Sequence, residues 1–277
     1  VALLVKSGMQ VKRFEDVLRT QQGESFIEVS DVHKIYHTDR GSLQAIEGLS
    51  CLISRGEFVA IVGPSGCGKS TFLKVLSGLL PYDAGEIRIG GARVSKPLSR
   101  DVGMVFQKPV LMPWLRVIDN ILFPVVLMGG KKRLYRERAY ALLELTKLSG
   151  FADRYPFELS GGMQQRVAIC RALIHDPELL LMDEPFGALD AMTRDILNLE
   201  LLRIWREKRK TIVFVTHSIQ EAVFLADRVL VMSRRPARVK ETVQIDLPRP
   251  RSIEVKGDPK YGEYTVHIYK LLQEEFV

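Results

Sequence analysis

Short runs of consecutive apolar residues recur along the second half of the chain, alternating with stretches in which apolar positions return every three or four residues. The runs at 58–62, 179–182, 211–215 and 228–232 are four or five residues long and almost wholly apolar, the pattern of strands buried on both faces. Met163, Val167, Cys170 and Ile174 form one helical stripe that stops at Asp176-Pro177, and further helices are predicted over about 191–208 and 219–226. Strands and helices in alternation predict a parallel sheet covered by helices. Upstream, from 26 to 89, short β-type runs dominate, with turn signals at Arg55-Gly56 and Asp83-Ala84-Gly85. The period changes again between about 108 and 160, where Tyr135, Ala139, Leu142, Leu145 and Leu148 mark an amphipathic helix and predict a helical insertion. Residues 1–25 read as a polar extension, and the chain beyond 236 as a β-type, Pro-rich tail. No internal repeat is present, so the unit occurs once.

Composition narrows the setting. The chain has 277 residues, and no stretch approaches the ~20 apolar residues that cross a bilayer. The apolar run at 1–5 is shorter than a signal-peptide core, so no export signal is expected. The three cysteines, Cys51, Cys67 and Cys170, cannot all pair and form no C-x-x-C motif, which suits a reducing compartment. A formal charge of +7 fits phosphate ligands, a membrane-proximal surface or nucleic acid, and by itself separates none of them.

Gly63-Pro64-Ser65-Gly66-Cys67-Gly68-Lys69-Ser70 fits the phosphate-binding pattern G-x-x-x-x-G-K-[ST], followed by Thr71. The glycines let successive N–H groups aim at one anion, and the helix expected from Lys69 adds the positive end of its dipole. Lys69 is placed to reach the β- and γ-phosphates, and Ser70 to ligate Mg²⁺. Four fixed positions recur by chance in roughly one chain in a hundred of this length, and the strand–loop–helix context makes chance rarer still. Cys67 supplies nothing the chemistry needs and reads as a tolerated small residue within the loop.

Two further segments gain meaning from this loop. Leu179-Leu180-Leu181-Met182-Asp183-Glu184 is an apolar strand ending in two acids, common in isolation. Downstream of a P-loop it would deliver Asp183 to the metal region and Glu184 to the attacking water. Leu159-Ser160-Gly161-Gly162-Met163 could be no more than a capped helix start, with Ser160 as N-cap and two glycines leaving N–H groups uncovered.

The order of P-loop, Gln107, LSGGM, LLLMDEP, Gly187-Ala188-Leu189-Asp190 and His217 resembles the ABC-transporter ATPase family over roughly 26–235. The resemblance implies an α/β fold: a P-loop NTPase (RecA-like) core with a mostly parallel sheet, an N-terminal antiparallel β subdomain and a helical subdomain at about 108–160. It implies ATP and Mg²⁺ as ligands. Gln107 would contact the metal and link the site to a membrane partner. Ser160, Gly161 and Gly162 would grip ATP held by a second copy of the chain in a head-to-tail dimer. Asp190 would lie between the paired sites, His217 would touch the γ-phosphate, and Tyr36 would stack on adenine. Tyr36 also reads as a core tyrosine and His217 as a capping residue. Met163 departs from the family's commoner Gln, and activity is expected to survive this because Ser160 and backbone N–H groups hold the phosphate.

Leu111-Met112-Pro113-Trp114-Leu115, Arg234-Arg235-Pro236-Ala237-Arg238 and Asp246-Leu247-Pro248-Arg249-Pro250-Arg251 resemble the ATPases of nitrate, sulfonate, taurine and bicarbonate-type importers. That implies transmembrane permease subunits as partners, a solute-binding protein indirectly, and a peripheral place on the cytoplasmic face of the cell membrane. An exporter or lipid-transport ATPase is the alternative. Nucleic acid is not an expected partner: the interval between Gln107 and Ser160 is too short for the long coiled coil of DNA-repair relatives, and ribosome-associated relatives carry two cassettes.

Overall fold

Phe58, Ala60 and Val62 face one hydrophobic cluster while Val59 and Ile61 face another, so this five-residue strand (β3, Phe58–Val62) is buried on both sides. The same division holds for β7 (Leu179–Asp183), where Leu180 and Met182 oppose Leu179 and Leu181. It holds again for β8 (Thr211–Val215), where Ile212 and Phe214 oppose Val213 and Val215. A strand with no solvent face has no polar alternation to display, which is why these segments read as continuous apolar runs. The computed structural model describes residues 25–38, 41–98, 100–187 and 189–275. The N-terminal extension expected over 1–25 therefore lies outside the described residues except for Ser25.

These strands belong to a six-stranded sheet with the order β10-β9-β3-β8-β7-β6, completed by β6 (Val102–Val105), β9 (Arg228–Met232) and β10 (Val239–Gln244). Only β10, at the edge, runs antiparallel to its neighbour. A second sheet is wholly antiparallel, with the order β2-β1-β4-β5, formed by β1 (Ser25–Thr38), β2 (Gly41–Ser54), β4 (Ala84–Ile89) and β5 (Ala92–Arg93). Helix α1 (Lys69–Leu76) sends Phe72, Leu73, Val75 and Leu76 into the cluster between the two sheets. The opposite face of the parallel sheet is covered by α2 (Val117–Leu127), α3 (Lys132–Leu145), α4 (Gly161–Leu173), α5 (Ala191–Lys208), α6 (Ile219–Leu225) and α7 (Pro259–Gln273).

The chain after 236 differs from the β-type tail that its sequence suggests. Strand β10 completes the sheet, and a 15-residue helix, α7, follows. Asp258 caps that helix by accepting from the Lys260 N–H, Pro259 occupies its first turn, and Tyr261, Tyr264 and Ile268 bury one face against the core. Ala237 also exchanges backbone hydrogen bonds with Ala45 and Glu47, so 236 is not a boundary between units.

Register fixes where chemistry can gather. Ile61 is level with Val215, Asp183 with Val215, and Val105 with Met182. The loops following β3, β8, β7 and β6 therefore leave one edge of the sheet side by side. The carboxyl edge of parallel strands is where ligands bind in open α/β sheets.

Candidate nucleotide site

The loop after β3 carries Gly63–Ser70, and its conformation requires its glycines. Gly66 and Gly68 have φ of +72° and +126°, in the left-handed region that side chains resist. A Cβ on Gly68 would also sit 2.9 Å from the carbonyl oxygen of Ala45 and 3.0 Å from Ala237 Cβ. Lys69 is almost wholly buried and its ammonium donates to the carbonyls of Gly63 (2.8 Å) and Pro64 (3.0 Å), which holds it across the loop. Ser65 and Gly66 face solvent. Cys67 turns inward into the core beneath the loop, and burial raises its thiol above the ordinary value.

Ser70 Oγ donates to Asp183 Oδ1 at 2.8 Å. Burial raises the Asp183 carboxyl above its ordinary value and the adjacent Glu184 carboxylate adds to the effect, with the Ser70 hydroxyl opposing it. A hydroxyl and a half-buried carboxylate side by side are hard oxygen donors of the kind Mg²⁺ takes. A divalent cation there would also relieve the electrostatic cost of keeping Asp183 ionised.

Glu184 occupies the left-handed region (φ +44°) while its N–H is fixed to the Val215 carbonyl at 2.9 Å. One of its carboxylate oxygens, Oε2, accepts from Gln107 Nε2 at 3.2 Å and lies 3.2 Å from His217 Nδ1. Three loops thus converge on a single oxygen. Gly187 keeps this close approach open, since a Cβ there would come within 3.3 Å of His217 Cε1.

Tyr36, on β1, reaches α1: its hydroxyl is 3.3 Å from Thr71 Oγ1, and the ring stands half-buried beside the P-loop helix. Ser160 caps α4, its Oγ accepting from the Met163 N–H at 3.3 Å, with Gly161 open to solvent beside it. Gly162 is close-packed, a Cβ there meeting Thr193 Cγ2 at 3.1 Å. Asp190 caps α5 by accepting from the Thr193 N–H at 3.0 Å. Among the described residues, no hydrogen bond joins Ser160, Gly161, Gly162 or Asp190 to the group built around Lys69 and Glu184. Ala188 lies outside the described residues.

Two residues that the sequence reading passed over hold the Gln107 loop. Gln165, buried in α4, donates to the Phe106 carbonyl at 3.2 Å, and Arg171 donates to the carbonyls of Pro109 and Val110, both at 2.8 Å. Both are polar residues beside the apolar stripe of Met163, Val167, Cys170 and Ile174, a placement that by itself carries no role.

A glycine-dependent loop holding a buried lysine, a half-buried Ser–Asp pair and a carboxylate at the carboxyl edge of a parallel sheet define a P-loop nucleoside triphosphatase. Residues 46–187 match the family model described as ABC transporter. An uncharacterized ABC transporter ATP-binding protein of Methanocaldococcus jannaschii is 42% identical over 96% of this chain and 98% of its own length. The aliphatic sulfonates import ATP-binding protein SsuB of Bacillus cereus is 44% identical over 82% of this chain and 88% of its own. The taurine import ATP-binding protein TauB of Burkholderia thailandensis is 42% identical over 88% and 95%. Among solved structures, the ATP-binding cassette MJ0796 in a dimeric post-hydrolysis state bound to ADP and Pi superposes with a TM-score of 0.72. It is 31% identical and covers 80% of this chain and 100% of its own. The chain belongs to the ABC transporter family, and it is an ATP-binding, ATP-hydrolysing subunit of that type.

Proposed function

We propose that this chain energises an importer of small anionic solutes, two copies closing head-to-tail over two ATP molecules. The observation that carries the catalytic part is the convergence of Gln107 and His217 on Glu184 Oε2, beside the Ser70–Asp183 pair. Glu184 is the base that orients and deprotonates the attacking water. His217 holds that carboxylate from one side and meets the γ-phosphate. Lys69 and the N–H groups of Gly66, Gly68 and Ser70 cradle the phosphates, and Tyr36 stacks on adenine. Mg²⁺, held by Ser70, Asp183 and Gln107, would neutralise charge on the β- and γ-phosphates.

Among the described residues Ser160 and Asp190 make no hydrogen bond to this group, which supports a site completed by the partner's Ser160-Gly161-Gly162 segment. ATP then stabilises the closed dimer because its γ-phosphate touches both halves, and hydrolysis releases them. The dimeric form of the MJ0796 cassette favours the same arrangement.

Permease subunits are the membrane partner. Trp114 and Phe157 are 71% and 76% exposed, on segments tied together by the Arg116 guanidinium over the Tyr155 ring at 5.8 Å and by the Val117 N–H on the Arg154 carbonyl at 2.8 Å. Large apolar side chains left in solvent beside the Gln107 loop suit a protein contact. Among the described residues no helix is long and apolar enough to cross a membrane. As an import subunit of the kind it resembles, the chain would be held on the cytoplasmic face by its permease. The sulfonate and taurine import roles of the relatives point to the solute class, with a solute-binding protein delivering it. Co-purification of the tagged chain from its native membrane tests this. Recovery of a permease with an anion-binding delivery protein is expected, and recovery of a lipid carrier would place the chain with exporters.

A further inference from the structure

Thr216, the residue before His217, accepts from the Ser218 N–H at 3.0 Å and donates to Glu221 Oε2 at 2.5 Å. The Glu221 N–H in turn donates to Ser218 Oγ at 3.3 Å, so Glu221 clasps both neighbours of the histidine. The other carboxylate oxygen of Glu221 faces Arg194 Nε, 3.8 Å away. Arg194 folds back along α5 and donates to the Leu189 carbonyl at 2.8 Å, immediately before Asp190, while its own N–H bonds the Asp190 carbonyl at 3.0 Å. Glu221 is 6% exposed, and burial raises its carboxyl above the ordinary value against the pull of Thr216 and Arg194.

Arg194 Nε and Glu221 Oε1 are both buried, and neither has a hydrogen-bond partner. Buried polar atoms are ordinarily paired, and two opposite charges facing each other just outside hydrogen-bond range are costly as they stand. They gain if the segments that carry them move together.

We propose that Arg194 and Glu221 are positioning residues for ATP hydrolysis, coupling the His217 segment to the Asp190 segment so that the two move as one unit. Neither side chain contacts nucleotide. The pair makes the placement of His217 on Glu184 and the γ-phosphate depend on the placement of Asp190 at the dimer seam. The inference rests on the roles given above to His217 and Asp190.

The test is a double-mutant cycle on steady-state ATPase kinetics. Glu221→Gln keeps an acceptor for Thr216 but cannot attract a guanidinium, and Arg194→Met removes the other partner. Each is expected to lower kcat about tenfold with KM for ATP within about twofold, because transition-state alignment is lost and binding is not. The double variant is expected to match either single variant, since contacting residues that act as one unit do not add. Arg194→Lys should recover part of the loss, and Arg194→Gln takes its place in the cycle if Arg194→Met does not fold. Single variants at the parental kcat, or a double variant about a hundredfold down, would overturn the proposal. His217→Ala is assayed alongside: parental turnover in that variant would remove the histidine from the mechanism and the proposal with it, whereas a slow His217→Ala beside parental Glu221→Gln and Arg194→Met would overturn the positioning role alone.

Discussion

The Ser70 hydroxyl donates to Asp183 Oδ1 at 2.8 Å, joining the first turn of the P-loop helix to the end of the strand that carries the two acids. Burial makes the ionised form of Asp183 less favourable in the folded chain than in water. The sign follows: an acid whose folded pKa lies above its unfolded pKa binds protons more readily when folded. Its charge therefore costs stability above the unfolded pKa, and the cost fades as pH falls. Asp183→Asn, measured without nucleotide or divalent cation, is expected to melt at the parental temperature or a few degrees above it. Its ATPase rate is expected to fall by about 100-fold or more, as the proposed Mg²⁺ site would lose its charged ligand. Calorimetry and turnover on the same preparation check both halves.

Glu184→Gln retains the shape and the contacts to Gln107 and His217 but has almost no basicity. ATP is expected to bind as before, turnover to fall below detection, and ATP to hold the chain as a dimer by light scattering. Hydrolysis at the parental rate would take Glu184 out of the role of base.

Tyr36 offers its ring beside Thr71. Stacking of a base on an aromatic ring is worth about 1–3 kcal/mol, so Tyr36→Ala is expected to raise KM for ATP about tenfold at nearly constant kcat. Tyr36→Trp should restore it. A fall in kcat at constant KM would make Tyr36 a residue of the fold.

Much of this was legible in the chain because the parallel sheet is covered on both faces. Strands β3, β8 and β9 begin and end where their apolar runs do. The phosphate loop, the acid-terminated strand and the histidine segment follow those runs directly, and so leave the sheet at one edge. Helix α2 was hidden by Pro124, which sits inside it, and by Asn120, whose buried amide donates to the carbonyls of Met112, Leu115 and Arg116. Helix α7 was masked by the prolines and arginines before it, although the Asp258-Pro259 start and the spacing of Tyr261, Tyr264 and Ile268 are helical signals. The Arg194–Glu221 pair had no signature at all, because it depends on two helices meeting in space.

Those arginines also serve the fold. Arg251 is buried and donates to the carbonyls of Val223, Phe224 and Ala226, closing the C-terminal end of α6. Arg251→Met would leave these acceptors unpaired, at a cost of about 3 kcal/mol, and lower the melting temperature by several degrees. Denaturant unfolding at matched pH reads the difference, and an unchanged midpoint would mean that water replaces the guanidinium.

A mixing experiment tests the shared site most directly, using Lys69→Ala and Ser160→Arg chains, each in the Glu184→Gln background so that bound ATP stays trapped. Each chain alone is expected to retain no nucleotide, since every site would contain one damaged half. In a mixed dimer both defects fall in the same site and the other site is whole, so mixing should restore trapping of a single ATP per dimer. A mixture that traps no more ATP than its two components would contradict a site built from both copies of the chain.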